Sequence, residues 1–398
     1  MTTTAPIPTR PRQSDGLPIV PAISAALTAV LVGVTSSVAL VFAAAKAAGA
    51  TPAQTGSWIG ALCIGKGISA IVLSIRYRTP ILLAWSTPGA ALLATGLTDV
   101  TMSEAIGAFF FCGLLLLGTG LTGIFDRVID RIPLPLASAL LAGVLTHFAI
   151  DAFASATVEP ALVVSMFAAY VLSRRLVPKF SALIILATGI AVAAAQGSIR
   201  TAGLHLSLMH PSYVRPSFSV GVLLGVGVPL YIVTMAAQNV PGVAALRAHG
   251  YDVRASPAIT ASGIATTLLA PFGMFGINLA AITASMVMGP DIHPDKAKRY
   301  PAAVFAGGLY IGVGLIGGSV ASVLGVLPNA LVLAVAGFAL IPTVANGLTM
   351  AVSDVIQREA AIVTFLITVS GVTLAGIGAA FWAILAGTIV LLSGRIRR

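Results

Sequence analysis

The stretch Pro52-Ala53-Gln54-Thr55-Gly56-Ser57-Trp58-Ile59 returns in altered form as Pro257-Ala258-Ile259-Thr260-Ala261-Ser262-Gly263-Ile264. Both read P-A-x-T-x-S-x-I, and each follows a glycine (Gly49, Gly250) that stands three residues after a base (Lys46, Arg247). The surrounding chain is 58% hydrophobic and 9% charged, with a mean hydropathy of +1.02. Few soluble folds can hide so much apolar surface, whereas a bilayer accommodates it. Two copies separated by an odd number of membrane spans must face opposite sides of the bilayer. An inverted repeat of this kind belongs overwhelmingly to secondary transporters.

Apolar runs predict fourteen spans, at about 19–44, 54–75, 80–97, 103–123, 134–150, 158–173, 180–196, 218–246, 255–270, 276–289, 301–321, 327–350, 360–373 and 374–392. Residues 1–17 are polar, have no early apolar core of the kind a cleavable signal peptide carries, and read as a cytoplasmic tail. With that tail inside, eighteen Lys and Arg fall on cytoplasmic segments and three (Lys46, Arg200, Arg215) on outer ones; Lys66 lies within a span. This is a strong positive-inside bias. It accounts for the +10 net charge as an insertion signal and argues against nucleic acid as a partner. The expected fold is an all-α polytopic protein of the bacterial inner membrane with both termini cytoplasmic. Seven spans in 18–196 and seven in 218–398 form the inverted repeat, joined by the polar linker 197–217.

Other classes lack their residues. Cys63 and Cys112 sit in apolar runs, which excludes a disulfide framework and a zinc ribbon. His293 has no second His or Cys at ligand spacing, so no metal is expected. Neither H-E-x-x-H nor G-x-S-x-G occurs, against an enzyme, and no G-x-x-x-x-G-K-[ST] occurs, so an ion gradient is the expected energy source. No cofactor is expected beyond a proton as coupling ion.

Transporters bind substrate where helices are interrupted near the midplane. The third span reads Thr79-Pro80-Ile81-Leu82-Leu83-Ala84-Trp85-Ser86-Thr87-Pro88-Gly89. Pro80 disfavours helix before it, Ser86 or Thr87 suits an N-cap, and Pro88 suits the first helical turn. The spacing predicts an extended lead-in and a half-helix from about Thr87. The tenth span reads Pro271-Phe272-Gly273-Met274-Phe275-Gly276-Ile277-Asn278-Leu279. Aligning Pro271 with Pro80 puts Asn278 at the place of Thr87, as a second cap. Two half-helix N-termini would then face each other and suit an anion such as a carboxylate. Phe275 and Trp85 flank the breaks, as candidates to stack on an aromatic ring or as packing. Gln238 and Asn239 in the eighth span are adjacent amides in an apolar helix, costly without partners. They read as substrate contacts; in the first span Ser36 and Ser37 read equally as contacts or interhelical bonds.

The stretches Gln238-Asn239-Val240-Pro241-Gly242, Pro271-Phe272-Gly273, Gly276-Ile277-Asn278-Leu279-Ala280-Ala281-Ile282-Thr283 and His293-Pro294-Asp295-Lys296-Ala297-Lys298-Arg299-Tyr300 resemble the benzoate–proton symporter (BenE) family, over about residues 18–393. That family is similar to the uracil, xanthine and sulfate carriers. The resemblance implies a core domain of spans 1–4 and 8–11 and a gate domain of spans 5–7 and 12–14. It also implies substrate between the third and tenth spans beside the eighth, and a homodimer. The nucleobase carriers have acids in the eighth and tenth spans; residues 216–251 and 253–290 here have no Asp or Glu. A substrate that carries its own negative charge fits that difference.

Lys66 lies mid-span, about 13 Å of helix from either surface. It reads either as a charge or proton-coupling group or as a structural contact. His147 and Asp151 stand one turn apart at the end of the fifth span, as a proton entry or an interfacial cap. The expected function is inward transport of an aromatic monocarboxylate such as benzoate with a proton. Its site would comprise Ser86, Thr87, Gln238, Asn239, Phe275, Gly276, Ile277, Asn278 and Ser37. Alternatives are a nucleobase or inorganic-anion carrier of the same fold, and a channel.

Overall fold

The computed structural model describes residues 19–97, 99–128, 133–199, 204, 206–374 and 377–396. The first half runs through α1 (Ile19–Thr35), α2 (Val38–Ala47), α3 (Pro52–Tyr77), β1 (Leu83–Trp85), α4 (Thr87–Gly96), α5 (Met102–Thr122), α6 (Ile124–Val128), α7 (Leu134–Ala154), α8 (Pro160–Leu176) and α9 (Ser181–Ala195). In the second half, α10 (Val220–Val222), α11 (Val228–Thr234) and α12 (Val240–Ala248) are joined by π-helical turns at Leu223–Gly227 and Met235–Asn239 into one helix, Val220–Ala248. There follow α13 (Ser256–Leu269), β2 (Ile277–Leu279), α14 (Ile282–Met286), α15 (Tyr300–Leu315), α16 (Gly317–Val326), α17 (Asn329–Val352), α18 (Arg358–Ser370) and α19 (Ala379–Ile396).

Both copies of P-A-x-T-x-S-x-I open a helix, because proline in a first turn lacks only an N–H that has no intrahelical partner. Thr51 caps α3: its side chain accepts the Gln54 N–H, and the Gln54 side chain accepts the Thr51 N–H at 2.8 Å. α13 has no cap of its own. Asp126 of α6 supplies one, accepting the N–H groups of Ala255 (3.0 Å) and Ser256 (3.3 Å) and the Ser256 hydroxyl. The cap of α13 is thus provided from another helix.

The motif helices pack across the two halves in exchange. α3 runs antiparallel to α15 and α16, and α13 runs antiparallel to α5. Small residues permit both contacts. A Cβ at Gly56 would lie 3.0 Å from the Gly318 Cα, and one at Gly263 would lie 2.3 Å from the Leu117 nitrogen. α7 and α17 form a third antiparallel pair, with Gly337 against Phe148 and Gly347 against Ser138 and Ala142.

Among the described residues six helices are long and apolar enough to cross a membrane, or seven if the α15–α16 pair, bent by 63°, is one span. The fourteen-span pattern is therefore finer than what length and hydropathy of the helices establish. The span expected at 19–44 breaks at Ser36 and Ser37, and the one at 276–289 consists of β2 and the five-residue α14. The one at 301–321 bends after Leu315, where the freed Leu315 carbonyl accepts the Met209 N–H at 2.7 Å. Met209 belongs to the linker, which is stapled on by further bonds from Ser207 N to Ser319 Oγ (2.9 Å) and Ser212 N to Ser57 Oγ (3.0 Å). The fold is helical but not purely so, since β1 and β2 pair.

Candidate functional site

The two broken segments meet at an antiparallel pairing, with Leu83 opposite Leu279, Ala84 opposite Asn278 and Trp85 opposite Ile277. The pairing continues on both sides: Ser86 N–H donates to the Gly276 carbonyl (3.1 Å) and Ala280 N–H to the Leu82 carbonyl (2.9 Å). Short strands at this depth are viable only because protein surrounds them and their backbone groups bond to each other. Gly276 has φ +151°, a conformation that favours glycine. From this pairing α4 departs at Thr87. Ser86 is its N-cap and accepts the Gly89 N–H at 3.1 Å. The expected half-helix after Ser86 is therefore present.

The matching expectation for Asn278 needs correction. Asn278 lies inside β2, and α14 begins at Ile282 without a side-chain cap. The strand register places Asn278 opposite Ala84 rather than at the position of Thr87, because the loop after Pro271 is longer than the one after Pro80. Asn278 is fully buried. With its amide turned so that nitrogen faces the Leu279 carbonyl (3.0 Å) and oxygen the Ser86 N–H (3.2 Å), both ends are satisfied.

The helix Val220–Ala248 is tied to both sides of this pairing. The Thr234 hydroxyl donates to Ser86 Oγ at 3.0 Å, and Asn239 Oδ1 accepts the Leu279 N–H at 2.9 Å. Asn239 Nδ2 donates to Met235 Sδ at 3.3 Å. The π turn at Met235–Asn239 carries the Asn239 amide, and such turns recur at functional sites. Close approach is possible because Gly242 has no Cβ; one would lie 2.4 Å from the Leu279 Cβ. Ser86, Asn239 and Asn278 are thus committed to internal bonds and position the backbone. Thr87 and Gln238 differ. Both are half-buried, and neither side chain bonds to another described residue. Thr87 opens α4, and Gln238 lies in the π turn that packs against β2.

Lys66 occupies the other side of β1. It is 1% exposed, and its Nζ sits 3.5 Å from the Trp85 ring centroid and 3.7 Å from that of Tyr310. Trp85 Nε1 in turn donates to Ser37 Oγ at 2.8 Å, and Ser37 donates to the Gly33 carbonyl at 3.0 Å. Ser37 therefore anchors the ring rather than facing substrate. A lysine at the bilayer centre costs on the order of 3 kcal/mol on insertion scales. Cation–π contacts of about 0.5–2 kcal/mol each are of the same size as that cost, so the rings alone leave the charged and neutral amine close in energy. Sequence reasoning missed Tyr310 and Thr234. Neither stands in a motif, and their relevance comes entirely from what they touch.

Phe275 is fully buried in a cluster with Trp58 and Phe109, at centroid distances of 6.3 and 5.9 Å. Both Phe275 and Ile277 pack internally, which removes Phe275 as a stacking face. His147 is half-buried and Asp151 exposed on α7, and no hydrogen bond links them. His293 belongs to a loop knitted by Arg299, which donates to the carbonyls of His293 (2.6 Å), Met288 (2.8 Å) and Pro294 (2.9 Å).

A family model described as benzoate membrane transport protein matches residues 18–392. The chain belongs to that family. It is 41% identical over 367 residues to "Inner membrane protein YdcO" of Escherichia coli (strain K12), covering 92% of this chain and 94% of the relative. It is 35% identical over 363 residues to "Benzoate membrane transport protein" of Acinetobacter baylyi (strain ATCC 33305 / BD413 / ADP1), covering 91% and 92%. Among solved structures, the transmembrane domain of the cyanobacterial bicarbonate transporter BicA aligns over 95% of this chain and 96% of its own, with TM-score 0.61 and 15% identity. Murine Slc26a9, an anion transporter in the inward-facing state, aligns over 98% of this chain and 74% of its own, with TM-score 0.62 and 13% identity. Those two likenesses establish the fold. The BenE-family chain is accordingly a multi-pass membrane transporter and not an enzyme.

Proposed function

We propose that the protein is a secondary active transporter that moves an aromatic monocarboxylate, benzoate or a near relative, inward with a proton by alternating access. The observation that carries this reading is the environment of the strand crossing. The capped N-terminus of α4 offers partial positive charge, and Thr87 and Gln238 offer polar groups without internal partners. The helix Val220–Ala248, α13, β2 and α14 contribute no acid that would repel a carboxylate. Membership of a benzoate transport family supports the substrate class.

The antiparallel exchange of α3 with α15 and α13 with α5 supports two inverted seven-span repeats, 18–196 and 218–398, joined by the linker 197–217. In this reading 1–17 is a cytoplasmic tail and both termini are inside. α1 to α5 and α10 to α16 form the core, and α7 to α9 and α17 to α19 form the gate against which the core moves. The protein works as a homodimer in the bacterial inner membrane, without cofactor or metal.

Radiolabelled benzoate uptake into proteoliposomes tests this, with protein-free vesicles correcting for diffusion of the undissociated acid. Saturable, gradient-stimulated uptake above that background is expected, weakened in Gln238→Ala. Uptake of bicarbonate, sulfate or uracil with none of benzoate would keep the fold and reject the substrate.

A further inference from the structure

We propose that Lys66 is the group that carries the coupled proton, and that Trp85 links its charge to the carboxylate site at the start of α4. This rests on the symport reading above. Lys66 is held by two aromatic faces, Trp85 and Tyr310, and among the described residues it makes no contact with an acid. The elements packed against α3 are α2, α13, α15, α16, β1 and the turn Ala270–Phe272. Their titratable side chains are Lys46 on α2 and Tyr300 and Tyr310 on α15. Lys46 stands at the end of α2 and Tyr300 at the start of α15. On α3 itself Cys63 lies one turn before Lys66, and Arg76 and Tyr77 lie at the far end. Among the described titratable groups of these elements, Tyr310 and Cys63 are the ones beside the ammonium, and neither carries a formal negative charge as a neutral side chain.

A buried cation in that setting lacks its counter-charge, and the substrate brings one. Trp85 is directly followed by Ser86, the cap of α4, and by Thr87, so the ring beneath Lys66 and the carboxylate site share three consecutive residues. A carboxylate at α4 favours the protonated lysine through the low-dielectric protein between them. By reciprocity the protonated lysine favours the carboxylate to the same degree. The proton adds to the neutral Lys66 amine when substrate binds and leaves it when substrate departs. Anion and proton therefore cross together, and no acidic residue is needed in the helix Val220–Ala248 or in β2. A lysine with a permanent charge would bind the anion but take up no proton.

Isothermal titration of benzoate into purified protein, in buffers of different ionisation enthalpy, counts protons taken up per ligand bound. Wild type is expected to take up about one proton at alkaline pH. Lys66→Arg should bind benzoate with no proton uptake and should exchange benzoate across vesicles while failing to accumulate it on a proton gradient. Lys66→Met should show the same loss of proton uptake with weaker binding. If Lys66→Met does not fold, Lys66→Arg with a thermal melt as folding control decides alone. Proton uptake by Lys66→Arg equal to wild type overturns the assignment while leaving symport intact. Benzoate binding by wild type without proton uptake at any pH overturns the symport reading itself, and the assignment with it.

Discussion

The Asn239 side-chain oxygen accepts the Leu279 backbone N–H at 2.9 Å, although the two residues lie forty positions apart. Asn239 is fully buried and its nitrogen is engaged by Met235 Sδ, so the amide is spent on holding β2. Asn239→Ala leaves a buried N–H without a partner, which costs about 1–3 kcal/mol. The thermal midpoint in detergent should fall, and benzoate affinity should fall with it. An unchanged midpoint with lost binding would instead make Asn239 a direct ligand.

Gln238 is the contrasting neighbour. It is half-buried, and its side chain makes no hydrogen bond among the described residues. Gln238→Ala should leave stability within about 0.5 kcal/mol of wild type, as at positions free of internal contacts. Its benzoate Kd should rise by roughly ten- to a hundredfold, the loss of one hydrogen bond to a charged ligand. A Kd equal to wild type in equilibrium binding would remove Gln238 from the site.

Ser86 joins three elements. It accepts the Gly89 N–H, it accepts the Thr234 hydroxyl, and its own N–H meets Gly276. Ser86→Ala should destabilise the protein by about 0.5–2 kcal/mol through the lost cap. Uptake should drop more than in Thr234→Ala, which removes only one of these bonds. Equal effects of the two substitutions would mean the cap is unimportant.

The contact between α5 and α13 depends on Gly263. A Cβ there would approach the Leu117 nitrogen to 2.3 Å, whereas a Cβ at Gly308 on α15 meets nothing within 4 Å. Gly263→Ala should cost about 1–3 kcal/mol by overpacking. Gly308→Ala should be neutral or stabilising by up to about 1 kcal/mol. Melting both proteins in one detergent settles the comparison, and equal midpoints would contradict the packing.

Some of this was legible from residues alone, because its causes are local. Apolar runs dictate membrane helices through the solvation of nearby atoms. Pro80, Ser86 and Pro88 break and restart a helix through their own backbone geometry, so the start of α4 at Thr87 could be read directly. The small-xxx-small spacings Gly56/Gly60 and Gly314/Gly318 are local too, and they meet in the close contact between α3 and the α15–α16 pair. The assignment of Asn278 as a second cap failed because aligning prolines presumes equal loops, and the loops differ.

What the tertiary structure alone decided is which polar groups find each other. Ser86 meets Thr234 across 148 positions and Trp85 meets Ser37 across 48. No local pattern encodes such distances. An amide becomes a strut when a backbone N–H lies within 3 Å of its oxygen, which is why Asn239 is bonded to Leu279 while the adjacent Gln238 side chain has no bond among the described residues. Lys66 follows the same logic. Its position in an apolar helix was plain from the residues, but the two rings that make a buried charge tolerable come from β1 and α15 and meet only when the chain has folded.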